Sequence, residues 1–378
     1  LKERMNGRGS MITGKNKTGC RKPGIVYHRT MLMLDGKYTK KIDYDKLPVL
    51  KPSRHIVLNN EHPEWKFQLH NYLLYYDNRF WCMWSFGPEE EALVGQSILF
   101  STSRDAINWE KPEILAQPQD KGFGYIARGF WIYDNKLFAL AAYFTGPGAF
   151  GKGKKLSLHA YQWKNKRWQF YGKVFDDTIN NFPPDILYNG KWMMTRRDVL
   201  MNVYALIGGE NSFNEWKSYP VVKQKNRLNF LPDEPFWWKI DDGNIVMFLR
   251  DNSGKRKIFR CFSTDNGKTW THPVKTNFPN ATSKFFGLKT SRKYRVFISN
   301  ANRYMNVLRK QMHLSISMDG NIFTGIARID IPSDGRATLQ YPHAIEYKED
   351  LFIAFSRNKK DIELITVPLE RIEKIFNL

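Results

Sequence analysis

Charged, imidazole and phenol side chains fall at matching points along this chain of 378 residues, each beside an apolar run that otherwise reads as a β-strand. His70, Arg128, Asp185, Glu234, Lys284 and His343 stand just before six such runs, and Ser85, Arg197, Arg250, Asn300 and Arg357 close the partner runs that follow. Burying an unpaired charge is costly, so charges at the ends of buried strands imply a ligand that pairs with them. The preponderance of Arg suits an acidic ligand, because a guanidinium can hold a carboxylate through two parallel hydrogen bonds. His70 and His343 titrate near neutrality and can move protons, and Tyr341 brings a phenol to the same place. Plainer roles compete with these. Asp198 beside Arg197 and Asp251 beside Arg250 could make simple salt bridges at strand ends, and Asp185 after two prolines could only shape a loop.

Six times an apolar or aromatic strand runs into a tight polar turn and returns as a second strand, over 72–84, 130–143, 186–194, 236–249, 285–298 and 344–355. The turns include Asp77-Asn78, Asp134-Asn135, Asn189-Gly190 and Asp242-Gly243, residue types that supply the positive φ of two-residue hairpin turns. They recur about every 50 to 57 residues, a spacing that fits one four-stranded propeller blade with its loops. The expected fold is all-β, a single β-propeller over residues 24–378 with six countable repeats, preceded by a flexible basic arm over residues 1–23. The last repeat shows three strands, so an N-terminal strand such as 25–34 is expected to complete its sheet, and residues 24–60 leave room for a seventh blade. Six to eight strand residues span about 20 Å. The polar residues above therefore gather on the face opposite the hairpin turns.

The composition suits one compact domain, with 42% hydrophobic and 15% aromatic residues and no linker-like stretch. Lys and Arg outnumber Asp and Glu by 59 to 37, and the net charge of +22 favours polyanions. That charge is spread along the chain and not gathered on a helix or a reading motif, which disfavours nucleic acid and leaves an acidic oligo- or polysaccharide as the expected partner. Cys20, Cys82 and Cys261 show no CxxC spacing and read as free thiols. No run of about 18 apolar residues occurs, so no membrane span is expected. The chain begins Leu1-Lys2-Glu3-Arg4, without Met or an apolar leader, which suits a secreted or periplasmic protein whose export signal has been removed.

A second kind of turn follows the third strand of several repeats. Ser263-Thr264-Asp265-Asn266-Gly267-Lys268-Thr269-Trp270 fits S-x-D-x-G-x-T-W, with echoes in Ser103-Arg104-Asp105 leading to Trp109 and Ser317-Met318-Asp319-Gly320 leading to Phe323. These are Asp boxes, and with 248–252, 277–284, 341–346 and 354–357 they make the chain resemble the sialidase-like Asp-box (BNR repeat) propellers over roughly residues 53–369. Within that group it looks most similar to ulvan lyases, rhamnose-glucuronate lyases and related α-L-rhamnosidases. That resemblance implies seven blades and a lyase acting on glucuronate-containing polysaccharide. Arg128, Arg197 and Arg250 would pair with the sugar carboxylate and acidify the C5 proton, His70 would remove it, and Tyr341 or His343 would act as partner acid. Glu234, Lys284, Asn300 and Arg357 are further candidate substrate contacts. No cofactor is required, and a structural cation is compatible with the scheme. The first rival is an exo-glycoside hydrolase of α-L-rhamnosidase or sialidase type, using Asp185 with Glu234 as a carboxylate pair or Tyr341 as nucleophile. The second is a non-catalytic glycan-binding propeller. A sialidase should carry Arg-Ile-Pro in its first blade, and here the nearest run, Arg328-Ile329-Asp330-Ile331-Pro332, comes far too late.

Overall fold

The strands of the repeats are apolar along nearly their whole length, as they must be when both sheet faces are covered by neighbouring sheets. A computed structural model of the chain, which describes residues 28–62, 64–87, 89–223, 229–302, 309–333 and 335–378, shows how they stack. Six antiparallel sheets form the blades of one propeller. Blade I runs from Phe67–Tyr76 through Arg79–Gly87 and Ser97–Ser103 to Glu113–Ala116, and blade II from Phe123–Tyr133 through Lys136–Thr145 and Leu156–Lys164 to Arg167–Asp176. Blade III spans Asp185–Ile186 to Trp216–Val222, blade IV Pro232–Lys239 to Val274–Pro279, and blade V Phe286–Lys289 to Gly325–Ile329. Blade VI takes Leu339–Tyr347, Asp350–Arg357 and Asp361–Pro368 from the C-terminal end of the chain.

The ring is closed by a strand from the other end of the chain, but not by the one expected. Ser53–Leu58 pairs antiparallel with Asp361–Pro368, while Val49–Leu50 adds a parallel fifth strand to blade V. Leu32 makes only an isolated bridge to Phe323, and residues 1–27, which include Cys20 and the proposed basic arm, lie outside the described residues. Because 49–58 is consumed by blades V and VI, the described residues form six blades and not the seven implied by resemblance. The closing strand is latched by charge: Arg54 donates from Nε and Nη2 to the buried Glu363 carboxylate, at 2.8 and 2.6 Å. Full closure leaves few exposed sheet edges.

The Asp boxes hold the turn face together. In blade IV Ser263 Oγ donates to Asp265 Oδ1 and accepts the Gly267 N–H, while the Asp265 carboxylate takes the N–H groups of Lys268 and Thr269. Trp270 then donates its indole N–H to the Gly267 carbonyl. Ser103-Asp105 and Ser317-Asp319 repeat this geometry, with Ala106 and Gly320 in the positive-φ place of Gly267. Blade III holds a fourth, degenerate copy: Ser212 bonds Asn214, and the Trp216 indole reaches the Phe213 carbonyl. Replacement of Asp by Asn hides it from the sequence pattern.

Four blades share a further feature that shapes the opposite face. The inner strands of blades I, II, IV and VI each carry one extra residue against their neighbour, between Leu69 and Tyr72, Ala127 and Phe130, Asp233 and Phe236, and Gln340 and His343. Such bulges bend a strand and re-aim a side chain.

Candidate active site

The four bulges deliver His70, Arg128, Glu234 and Tyr341. His70, Glu234 and Tyr341 themselves adopt φ of 58°, 44° and 58°, and in blade II the following Gly129 takes 102°. Positive φ is costly for a residue with a side chain, so three of the four accept strain where the chain turns toward the axis. All four side chains are buried.

Around them, acids and bases are paired with few left over. Arg250 Nη1 bonds Glu234 Oε2 at 2.6 Å. Burial by itself would raise the Glu234 carboxyl, yet Arg250, Lys284 and Arg197 together pull it down to about 2. Arg197 is bound by Asp233 and stacks over the Phe150 ring at 4.9 Å, and burial lowers its guanidinium to about 9. Arg250 also faces the Tyr341 hydroxyl. Burial, reinforced by the Glu234 and Glu91 carboxylates, pushes the Tyr341 phenol well above its usual range, so it carries its proton in the free protein. Arg309, donating to Gln340 Oε1 at 2.6 Å, adds a further cation on the same side.

His70 is fully engaged. Its Nε2 meets Glu91 Oε1 at 3.1 Å and its Nδ1 meets Ser85 Oγ at 3.1 Å, while Ser85 also accepts the Ala127 N–H from blade II. With a carboxylate accepting from Nε2, the neutral ring carries its proton there and Nδ1 accepts from Ser85. Burial lowers the imidazole to about 4, despite Glu91. Glu91 itself bonds Lys359, and its carboxyl stays well below the usual range because His70 and Lys359 outweigh its burial.

The remaining candidates divide. Lys284 is brought to the centre: its Nζ donates to Tyr72 Oη at 2.9 Å and lies over the Tyr72, Phe182 and Tyr341 rings. His343 lies deeper, accepting the Leu73 N–H at Nδ1 and stacking on Phe286 at 4.2 Å. It lines a cavity of about 890 Å³ that reaches Gly243 in a hairpin turn. Asp185 lines that same turn-side cavity and is exposed, so the structure does not set it beside Glu234 as a carboxylate pair. Asn300 is committed to structure, since its amide donates to the Gln311 and Leu339 carbonyls and accepts from Ser283. Arg357 likewise turns to its own blade, where it pairs with Glu363 and donates to the Pro332 carbonyl. Glu91, Asp233, Tyr72 and Arg309 were missed by the strand-end reading. Glu91 lies in the loop between the second and third strands of blade I, and such loops share the face of the bulges; that was the signal available.

Comparison with known proteins agrees with this architecture. The BNR repeat-like domain model matches residues 185–353. A protein of unknown function from Dyadobacter fermentans superposes with a TM-score of 0.66 at 13% identity, over 83% of this chain and 97% of its own. The NanB sialidase of Streptococcus pneumoniae gives 0.64 at 12% identity, over 84% and 71%, and Trypanosoma rangeli sialidase in complex with sialic acid gives 0.63 at 14%, over 87% and 61%. The chain thus spans about three fifths of the trypanosomal sialidase it resembles. No curated protein matches the chain in sequence. The fold is that of the sialidase-type propellers, with six blades among the described residues, and residues 185–353 carry the match to the BNR repeat-like domain.

Proposed function

We propose that this chain is a glycoside hydrolase that cleaves the bond to an acidic sugar, with Tyr341 as nucleophile and Glu234 as its base. The observation that carries this reading is the placement of a protonated, buried phenol on a strained bulge, facing Arg250 and under the field of an ionised carboxylate. Glu234 accepts the phenolic proton as the Tyr341 oxygen attacks the anomeric carbon, the glycosidic bond breaks with its electron pair on the aglycone oxygen, and that oxygen takes a proton from solvent so that the aglycone leaves as an alcohol. Water then attacks the anomeric carbon, the bond to tyrosine breaks with its electron pair on the phenolic oxygen, Glu234 returns the proton to that oxygen, and the attacking water releases one proton to solvent. Arg250 stabilises the charge on the phenolic oxygen, an electrostatic contribution that is large where water is excluded. The sialidase structures, one holding sialic acid, support an acidic sugar at such a site. Elimination by His70 is less well supported, because Ser85 and Glu91 occupy both ring nitrogens.

The test is a product assay on glycosides and polysaccharides containing uronic or sialic acids, following reducing ends and ultraviolet absorbance together. New reducing ends without absorbance, falling at least about 100-fold in Tyr341→Phe, are expected. An unsaturated, absorbing product would overturn the hydrolase reading in favour of a polysaccharide lyase. Glycan binding with no turnover would leave a lectin-like propeller.

A further inference from the structure

The face of the hairpin turns carries a second concave site, and its origin is in the sequence. Pro183 and Pro184 have no N–H to give to a ladder, so the inner strand of blade III is cut to the two residues Asp185–Ile186. That of blade V runs for four, Phe286–Lys289, whereas those of blades I, II, IV and VI run for eight to eleven. The space left beside blades III, IV and V is the cavity of about 890 Å³ that His343 lines, a size suited to a small molecule. Its floor is aromatic. Phe182, Phe236 and Phe286 close on one another with centroids 5.1 to 5.5 Å apart, and Trp238 stands against Phe236 with its indole N–H spent on the Gly320 carbonyl. Charges at the rim are already answered: Asp241 takes Arg295 at 2.7 Å and Lys289 at 3.5 Å, and the Lys239 ammonium lies over the Tyr188 ring. One polar group is not. His343 is 6% exposed, and its Nδ1 accepts the Leu73 N–H, which places the ring proton on Nε2. That Nε2–H has no hydrogen-bond partner among the described residues. A buried donor left unpaired is costly, and an acceptor brought by a ligand removes the cost. A water there would need further polar partners, and the Phe182 and Phe286 rings beside His343 offer none.

We propose that this turn-side cavity binds an uncharged, planar, ring-bearing molecule that presents one oxygen acceptor to His343 Nε2 and lays its rings against Phe182, Phe236 and Phe286. The site stands apart from the reaction proposed above, which uses neither His343 nor these rings. Charge on the ligand is disfavoured in both signs. The Lys284 ammonium, 4.6 Å from the Phe182 centroid, repels a cation, and the negative faces of the aromatic floor repel an anion. Burial, with Lys284 nearby, takes the His343 imidazole well below its ordinary 6.5, so at neutral pH the ring offers a hydrogen bond and not a charge.

Coumarin and naphthalene are probes of the same bicyclic size, one with a carbonyl acceptor and one without, and naphthoate adds a negative charge. Equilibrium dialysis of each against the full chain at neutral pH measures the affinities without any turnover. The wild type is expected to bind coumarin about tenfold more tightly than naphthalene, the worth of one hydrogen bond, and more tightly than naphthoate. His343→Phe keeps a ring and removes the donor, so it should bring coumarin down to the level of naphthalene and leave naphthalene bound. Phe286→Ala should weaken both. Circular dichroism shows whether each variant folds. Because His343→Phe strips the Leu73 N–H of its acceptor, a crystal of the wild type soaked with a brominated coumarin supplies a second measurement. Anomalous scattering from bromine is expected inside the cavity, with the carbonyl oxygen on His343 Nε2. The proposal is overturned by any of four results: no coumarin bound, equal affinity for coumarin and naphthalene or a preference for naphthoate, a coumarin preference that survives in folded His343→Phe, or bromine found only outside the cavity.

Discussion

Acid should unfold this propeller sooner than its carboxylates alone would dictate, because three histidines are buried as neutral rings. His70 and His313 are held at about 4 by burial, and burial takes His343 well below its ordinary 6.5. For a base whose folded pKa lies below its unfolded value, the unfolded chain binds the extra proton in the window between the two. Stability is therefore intact above about pH 6.5 and falls as pH drops toward 4. Integrating that difference from pH 7 to 5 gives roughly 2 kcal/mol for His70 and for His313, on the order of 4 kcal/mol together, and His343 acts in the same direction. That is a large fraction of the whole stability of many domains. Glu234, held at about 2, adds a loss in the same direction only below about pH 4.5, so the two effects separate along the pH axis. Urea unfolding at pH 7, 6 and 5 at fixed ionic strength measures the slope. His313 is the variant of choice, since it accepts the Ala301 N–H at Nδ1 and plays no part in the proposed chemistry. His313→Asn keeps an acceptor and should remove roughly 2 kcal/mol of the loss between pH 7 and 5, whatever it costs at pH 7. A stability constant between pH 7 and 5, or a slope unaffected by His313→Asn, would refute the reasoning.

Other expectations concern the frame. Gly267 has φ of +82° and a Cβ there would lie 2.5 Å from Met193 Sδ, whereas Gly243, at φ of +84°, has open space around it. Gly267→Ala should therefore cost about 2 kcal/mol or more and Gly243→Ala about 1, a contrast that thermal melting of the two variants checks. Glu363→Gln removes the charge shared by Arg54 and Arg357 at the ring closure. It should cost about 3 kcal/mol and raise amide exchange in Ser53–Leu58 before other strands, which hydrogen-exchange mass spectrometry resolves.

The blades were legible because each first hairpin is a local feature: apolar strand, polar turn, apolar strand, all within about a dozen residues. The closing strand was not, since its partner is about 300 residues away and nothing local in Ser53–Leu58 distinguishes it from 25–34. Position at the strand ends was legible for the same reason as the turns, through strand length, and the structure places His70, Arg128, Glu234, Lys284 and Tyr341 near one another. Roles were harder to read. Arg250 and Arg357 occupy equivalent strand ends, but one meets Glu234 from the preceding strand and the other Glu363 from the following one. Which neighbour neutralises a charge is decided by pairing across strands and not by spacing along the chain.

The bulges explain why position was readable at all. A regular inner strand alternates its side chains between the two faces of the blade, so consecutive residues cannot both serve the axis. One extra residue breaks that alternation at the same depth in blades I, II, IV and VI, and in each case the residue placed there is polar or ionisable. Strain of this kind, about 1 to 3 kcal/mol per residue, persists only when the surrounding structure enforces it, and here a tight propeller core and paired charges do so. A proline immediately follows Glu234 and Tyr341 in two of the bulges, removing an N–H that the broken ladder would leave unpaired. The base and nucleophile proposed for the reaction are thus the two residues whose backbone is most firmly prevented from relaxing. That is the arrangement expected where catalysis depends on a fixed distance between a carboxylate and a phenol.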